Sequence, residues 1–107
     1  MMTPDVLNTA FDAWLAGCQK IINDDYAEHY PTLEVPQLTV ERNPRYWRVV
    51  ITRHGDQRSV YCFIDPSNGD VLKSDGWKRP AKHARGNLFD DSNGLANMNS
   101  YGAAYLR

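Results

Sequence analysis

Long hydrophobic runs are missing from this chain. No apolar stretch in its 107 residues approaches the roughly 20 that a membrane-spanning helix needs. The opening Met1-Met2-Thr3-Pro4-Asp5 has neither the basic flank nor the apolar segment of a secretory signal. Cysteine is scarce: Cys18 and Cys62 are the only two, and both fall in apolar segments, which points to two reduced, buried thiols in a cytoplasmic protein rather than a disulfide framework. There is no glycine-rich phosphate loop and no Gly-x-Ser-x-Gly elbow. His29, His54 and His83 lie far apart, with no metal-ligand spacing among them or with the cysteines, so neither a zinc site nor any cofactor is expected. Asp24-Asp25 beside Glu28 and His29 reads as a solvated helix end rather than a metal site, and Asp90-Asp91 as a polar loop. A catalytic acid or base needs a partner placed beside it, and no motif supplies one; the chain reads as a non-enzyme.

What is present suits one domain spanning residues 1–107. The length supports a single core, and 42% hydrophobic with 23% charged residues is ordinary for a folded protein. The net charge of −1 hides a division. Residues 1–41 hold seven acids and one base, whereas residues 42–107 hold eleven bases and six acids. Such a split either gives the molecule an acidic and a basic face or is neutralised across the fold.

Thr3-Pro4-Asp5 is a helix start, with a hydroxyl cap, proline in the first turn and an acid near the positive end of the dipole. Leu7, Phe11, Trp14, Cys18 and Ile21 follow at three- and four-residue spacing, widened by Ala10, Leu15 and Ile22, so one face of this helix is apolar. Gly17 would allow the sheet to approach closely. Asn23-Asp24-Asp25 either ends the helix or begins a further turn, which Pro31 must stop at or before Tyr30. From Leu38 the period changes to two. Leu38–Glu41, Tyr46–Arg53, Ser59–Ile64 and Val71–Lys73 read as strands, joined by turns at Asn43-Pro44, His54–Gln57 and Asp65-Pro66-Ser67-Asn68-Gly69. Pro80–Arg85 reads as a short helix, with proline at its first position and Gly86 beyond its end. No internal repeat is expected, and the Tyr- and Leu-containing tail should pack back on the domain. The fold class is therefore α+β: an amphipathic N-terminal helix on a three- to four-stranded antiparallel meander, with a short helix and an irregular C-terminal wrap.

Val60–Lys73, with its Asp-x-x-x-Gly-x-Val-Leu turn, resembles the strand–turn–strand of PepSY-like domains. Gly76-Trp77-Lys78-Arg79-Pro80-Ala81-Lys82-His83-Ala84-Arg85-Gly86-Asn87-Leu88-Phe89-Asp90, with the closing Tyr101-Gly102-Ala103-Ala104-Tyr105-Leu106-Arg107, is similar to the C-terminal half of small proteins encoded by tailed bacteriophages. This second resemblance implies a phage origin and expression in the host cytoplasm, and it carries over no catalytic residue.

The chemistry concentrates in residues 76–87. Lys78, Arg79, Lys82 and Arg85 are four of the twelve Lys and Arg, with no acid between Gly76 and Asn87. If Pro80 opens a helical turn, the N–H groups of Ala81 and Lys82 are free to bind an anion, and Lys78, Lys82 and Arg85 share a face. Trp77 can stack on a base, His83 adds a pH-sensitive donor, Asn87 closes the segment, and Arg48, Arg53, Arg58 and Lys73 would extend the patch. The competing structural reading has Trp77 covering the sheet edge. Three functions fit: a small phage-encoded inhibitor that binds a host protein, of host-takeover or anti-defence type; a module binding nucleic acid or a phosphorylated ligand through residues 76–87; and a homo-oligomeric accessory protein.

Overall fold

A computed structural model describes residues 3–103. Helix α1 spans Pro4–His29, and five strands follow: β1 (Gln37–Arg42), β2 (Trp47–Arg53), β3 (Gln57–Asp65), β4 (Asp70–Ser74) and β5 (Pro80–Asn87). They form one antiparallel sheet in the order β1-β2-β3-β4-β5. A two-residue ribbon, β6 (Met98–Asn99) with β7 (Gly102–Ala103), lies in the C-terminal wrap. The fold is α+β, with one N-terminal helix and one strand more than the sequence indicates.

The Thr3 hydroxyl accepts from the Val6 N–H at 3.2 Å, as the cap reading requires. The acidic stretch at residues 23–25 does not stop α1. Gln19–Asn23, Lys20–Asp24 and Asp25–His29 pairs span it at the i,i+4 spacing that supports a helix, and the helix ends before Pro31. Leu7, Phe11, Trp14, Cys18 and Ile22 are buried against Trp47, Val49, Ile51, Cys62, Ile64 and Val71 of the sheet. Arg42 caps one end of this core, its guanidinium 4.3 Å from the Trp47 ring centroid and 5.3 Å from that of Phe11. Gln19 clamps the helix to the free edge of β1, donating to the Pro36 carbonyl at 2.8 Å and accepting from the Leu38 N–H at 2.9 Å. Both cysteines are free and buried. Among the described residues no helix is long and apolar enough to cross a membrane.

Two expectations need correction. Pro80–Arg85 is strand β5 and not a helix. Strand β4 would otherwise present an unpaired row of amides beside β3, and pairing satisfies them at the cost of bulges near Leu72. The segment suits an edge: Pro80, Lys82, His83 and Arg85 discourage a further strand from adding. The helical face shared by Lys78, Lys82 and Arg85, and the free N–H groups at a helix start, therefore do not exist. Gly17 also faces something other than the sheet, since a Cβ there would lie 2.6 Å from Leu95 Cδ1 of the C-terminal wrap.

The wrap is held by a five-residue turn used twice. In Asp65-Pro66-Ser67-Asn68-Gly69 and again in Asp90-Asp91-Ser92-Asn93-Gly94, the Asp carboxylate accepts from both the N–H and the hydroxyl of the Ser two residues on. The Gly has positive φ in both turns. Asn93 then donates to the carbonyls of Ala10 and Leu88, tying wrap to helix. Tyr61, the extra residue where β3 bulges against β2, donates its hydroxyl to the Asn99 carbonyl at 2.6 Å. The expected packing of Tyr105 and Leu106 lies outside the described residues.

Gly102 has φ +118, and a Cβ there would stand 2.3 Å from the Tyr61 carbonyl oxygen. Gly102→Ala should cost roughly 2–3 kcal/mol, combining backbone strain with a clash against main chain. Gly55→Ala, at φ +76 with nothing within 4 Å, should cost only about 1 kcal/mol. Urea unfolding of the two variants checks this; equal losses would show that the wrap yields at Gly102.

Candidate functional site

The sheet has a second face that α1 does not touch. Registered partners project to one side of an antiparallel sheet, and the row Glu41, Arg48, Phe63, Leu72 and Ala84 crosses all five strands in register. Val50, Phe63 and Leu72 are buried yet stand apart from the main core cluster. Phe63 shares a groove with the loop of residues 75–79 between β4 and β5, and that loop is closed by the Asp75 N–H donating to the Arg79 carbonyl at 2.9 Å.

Arg48 holds that loop down. Its Nε donates to the Trp77 carbonyl at 2.7 Å and its Nη1 to Glu41 Oε1 at 2.8 Å. The same guanidinium lies 4.8 Å from the Trp77 ring centroid and 5.8 Å from that of Phe63. Arg58 completes the cluster, bonding Glu41 Oε2 at 3.2 Å and lying 5.4 Å from the Trp77 ring. The hydrogen bonds from Arg48, then Arg58, hold the Glu41 carboxyl below its ordinary range. Trp77 retains 40% of its surface in solvent.

Beside Trp77 lies a groove of about 600 Å³, bounded by the Asn43-Pro44 turn, Arg45, Tyr46, Arg48, Phe63, Trp77, Lys78 and Arg79. Four cations and three aromatic rings line it, and no carboxylate does. Tyr46 stands edge-on to Phe63 at 6.4 Å, with the Arg45 guanidinium 5.3 Å from its ring. Arg79 pairs with Asp75 at 3.6 Å, but both side chains are mostly exposed, so the pair restrains the guanidinium little. A second recess of about 400 Å³ continues past Arg79 to Lys82 and carries Asp65 and Asp70. Both acids are already engaged, Asp65 by Ser67 and Asp70 by the Asn87 amide.

Of the residues singled out in the sequence, Trp77, Lys78 and Arg79 line the groove and Lys82 the recess. His83 and Arg85 line neither; the Arg85 guanidinium donates to the His83 carbonyl. Asn87 lines neither: its amide donates to the Asn68 carbonyl and to Asp70, and its Oδ1 accepts from the Phe89 N–H. Arg48 and Arg58, expected to extend the basic patch, are committed to Glu41 and Trp77. Arg53 donates to the Ser59 hydroxyl. Arg45, Tyr46 and Phe63 were not anticipated. For Arg45 and Tyr46 the available signal was the pair of aromatic residues set between two arginines in Arg45-Tyr46-Trp47-Arg48.

Nucleophiles and metal ligands are no better placed. Burial pushes the Cys18 thiol up to about 12 and raises Cys62 as well, so both remain protonated at neutral pH. Among the described residues, no three His, Cys, Asp or Glu side chains converge as a metal site would require.

Replacing Glu41 by Gln tests the clamp through pH. Because the folded carboxyl titrates below its ordinary 4.5, its ionised form stabilises the fold above that value, and the benefit disappears as pH falls through the lower folded range. Glu41→Gln should therefore be less stable than the parent at neutral pH, with the gap closing in urea melts taken at progressively lower pH. A gap independent of pH would mean that the carboxylate charge does not hold the loop.

No curated protein and no solved structure matches the chain. Residues 6–106 match the model of a family of unknown function (DUF7717), and the match takes in all but the first two residues of the helix, all five strands and the basic loop. The chain belongs to that family.

Proposed function

We propose that the groove beside Trp77 binds single-stranded nucleic acid. One observation carries the reading: four cations and three aromatic rings meet in a single recess with no carboxylate among its walls. Phosphates are the ligands that cations hold without needing a specific sequence. Aromatic faces add stacking only to bases released from a duplex. Arg45, Lys78 and Arg79 supply the charge, and Lys82 continues it along β5. Trp77 and Tyr46 supply the rings. Arg48 acts indirectly, as a positioning residue whose bonds to Glu41 and the Trp77 carbonyl fix the indole. The function is binding, with no chemical step.

Fluorescence anisotropy with labelled single-stranded DNA and RNA, against a duplex of the same sequence, tests the proposal. Three or four phosphate contacts on a single strand should give a slope of log affinity on log salt of about −2 to −3. Reversing Lys78 and Arg79 to Glu should weaken binding by tenfold or more and flatten that slope. Trp77→Ala should lose about 1–3 kcal/mol, the value of one stacked base. Affinity indifferent to salt and to these charges would reject the reading. A host-protein partner would bring carboxylates in place of phosphates. Displacement of the oligonucleotide by polyglutamate as readily as by unlabelled single strand would therefore favour that partner.

A further inference from the structure

Asp65 and Asp70 are registered partners at the turn between β3 and β4. Each lies two residues along its strand from Phe63 or Leu72, so both project from the outer face of the sheet. Like charges set opposite one another repel, and this pair is not neutralised. Among the described residues neither carboxylate forms an ion pair, although Arg45, Arg79 and Lys82 line the same recess of about 400 Å³. The bonds the two acids accept come from neutral groups and use one oxygen each. The Ser67 N–H and hydroxyl meet Asp65 Oδ1, and the Asn87 amide meets Asp70 Oδ1. Among the described residues neither Oδ2 accepts a hydrogen bond. Arg45, Tyr46 and Arg79 belong both to this recess and to the groove beside Trp77, so the two cavities share a wall.

We propose that this recess holds a guanine base, an inference that rests on reading the adjoining groove as a site for single strands. Three requirements select guanine. The occupant must offer N–H donors, because each carboxylate keeps an oxygen without one. Those donors must be uncharged, because Arg45, Arg79 and Lys82 would repel an ammonium, a guanidinium or a divalent cation. The occupant must also present acceptors to the same three cations. Guanine is the base that sets two adjacent donors, N1–H and the N2 amino group, beside two acceptors, O6 and N7. Adenine and cytosine each offer one amino group next to a ring-nitrogen acceptor, which a second carboxylate repels. Thymine and uracil offer a single N–H between two carbonyls. Tyr46 and Leu72 give the recess a ring and an apolar wall against which a planar base can lie. Asp65 and Asp70 are thus the specificity-determining residues of a surface whose cations and rings are otherwise indifferent to sequence.

Anisotropy with short oligothymidylates that differ only in one central base tests this. A central guanine should bind about tenfold tighter than adenine, cytosine or thymine, the discrimination of one good two-point base contact. Inosine, which lacks only the N2 amino group, should lose most of that gain with the protein unchanged. Asp70→Asn keeps an oxygen for the Asn87 amide and replaces the other acceptor by a donor. It should abolish the preference while affinity for plain oligothymidylate does not fall, and circular dichroism checks its fold. Guanine can arrive on a strand or in a free nucleotide, and competition with GMP separates the two sources. GMP should displace the labelled strand far less well than the guanine oligonucleotide does. Equal displacement would keep guanine in the recess and reject the strand. Equal affinity for all four central bases, with salt-dependent binding intact, would overturn the recess assignment alone. So would inosine bound as tightly as guanine, or a preference that survives Asp70→Asn. No binding of any strand or of GMP would reject both readings.

Discussion

Arg48 is the residue on which the outer face of the sheet depends. A single helix can cover only one side of a five-stranded sheet, and on the other side Val50, Phe63 and Leu72 still have to leave water. Among the described residues no second helix lies there, and a five-residue loop is pinned beside Phe63 by one guanidinium, which bonds a carboxylate and a main-chain carbonyl while lying over two rings. Hydrogen bonds involving a charged partner are stronger than those between neutral groups, and a guanidinium over an aromatic ring adds attraction of its own. The arrangement also fixes the surface chemistry. Because Arg48 and Arg58 are spent on Glu41 and Trp77, the charges left to meet a ligand are Arg45, Lys78, Arg79 and Lys82.

Much of the fold was legible because its signals were periodic. The apolar spacing from Leu7 to Ile22 gave the helix face, and the alternation in residues 47–53 and 60–64 gave the central strands. Pro31 and the Asn68-Gly69 turn marked ends that only those residues make cheaply. Strand β5 was not legible. Pro80 and Gly86 do flank a good helical start and stop, but the local preference is small, and the amides of β4 find their partners in this segment. Tertiary pairing overrode the local signal.

The site was half legible for a related reason. Trp77, Lys78, Arg79 and Lys82 are close in sequence, so their concentration could be seen without a fold. Arg45 and Tyr46 sit some 30 residues earlier, and only the meander brings them to the same groove. Asn87, singled out with Trp77 and its neighbours, bonds the Asn68 carbonyl, Asp70 and the Phe89 N–H, partners that its place in the sequence does not announce. Arg48 and Arg58 looked like exposed charge because nothing in the sequence says that Glu41 lies in register beside them. The division of charge along the chain is bridged in part across the fold. Glu41, from the acidic part of the sequence, pairs with Arg48 and Arg58 of the basic part, and Arg42 bonds Asn8 of α1.

Amide chemical-shift mapping with a short single-stranded oligonucleotide tests the central claim most directly, because it reports where the ligand sits as well as whether it binds. The account requires the largest changes at residues 43–48, at Phe63, at the Trp77 indole and through residues 78–82, with α1 unmoved. Changes centred on α1 or the C-terminal wrap, or none at low salt and saturating oligonucleotide, would contradict it.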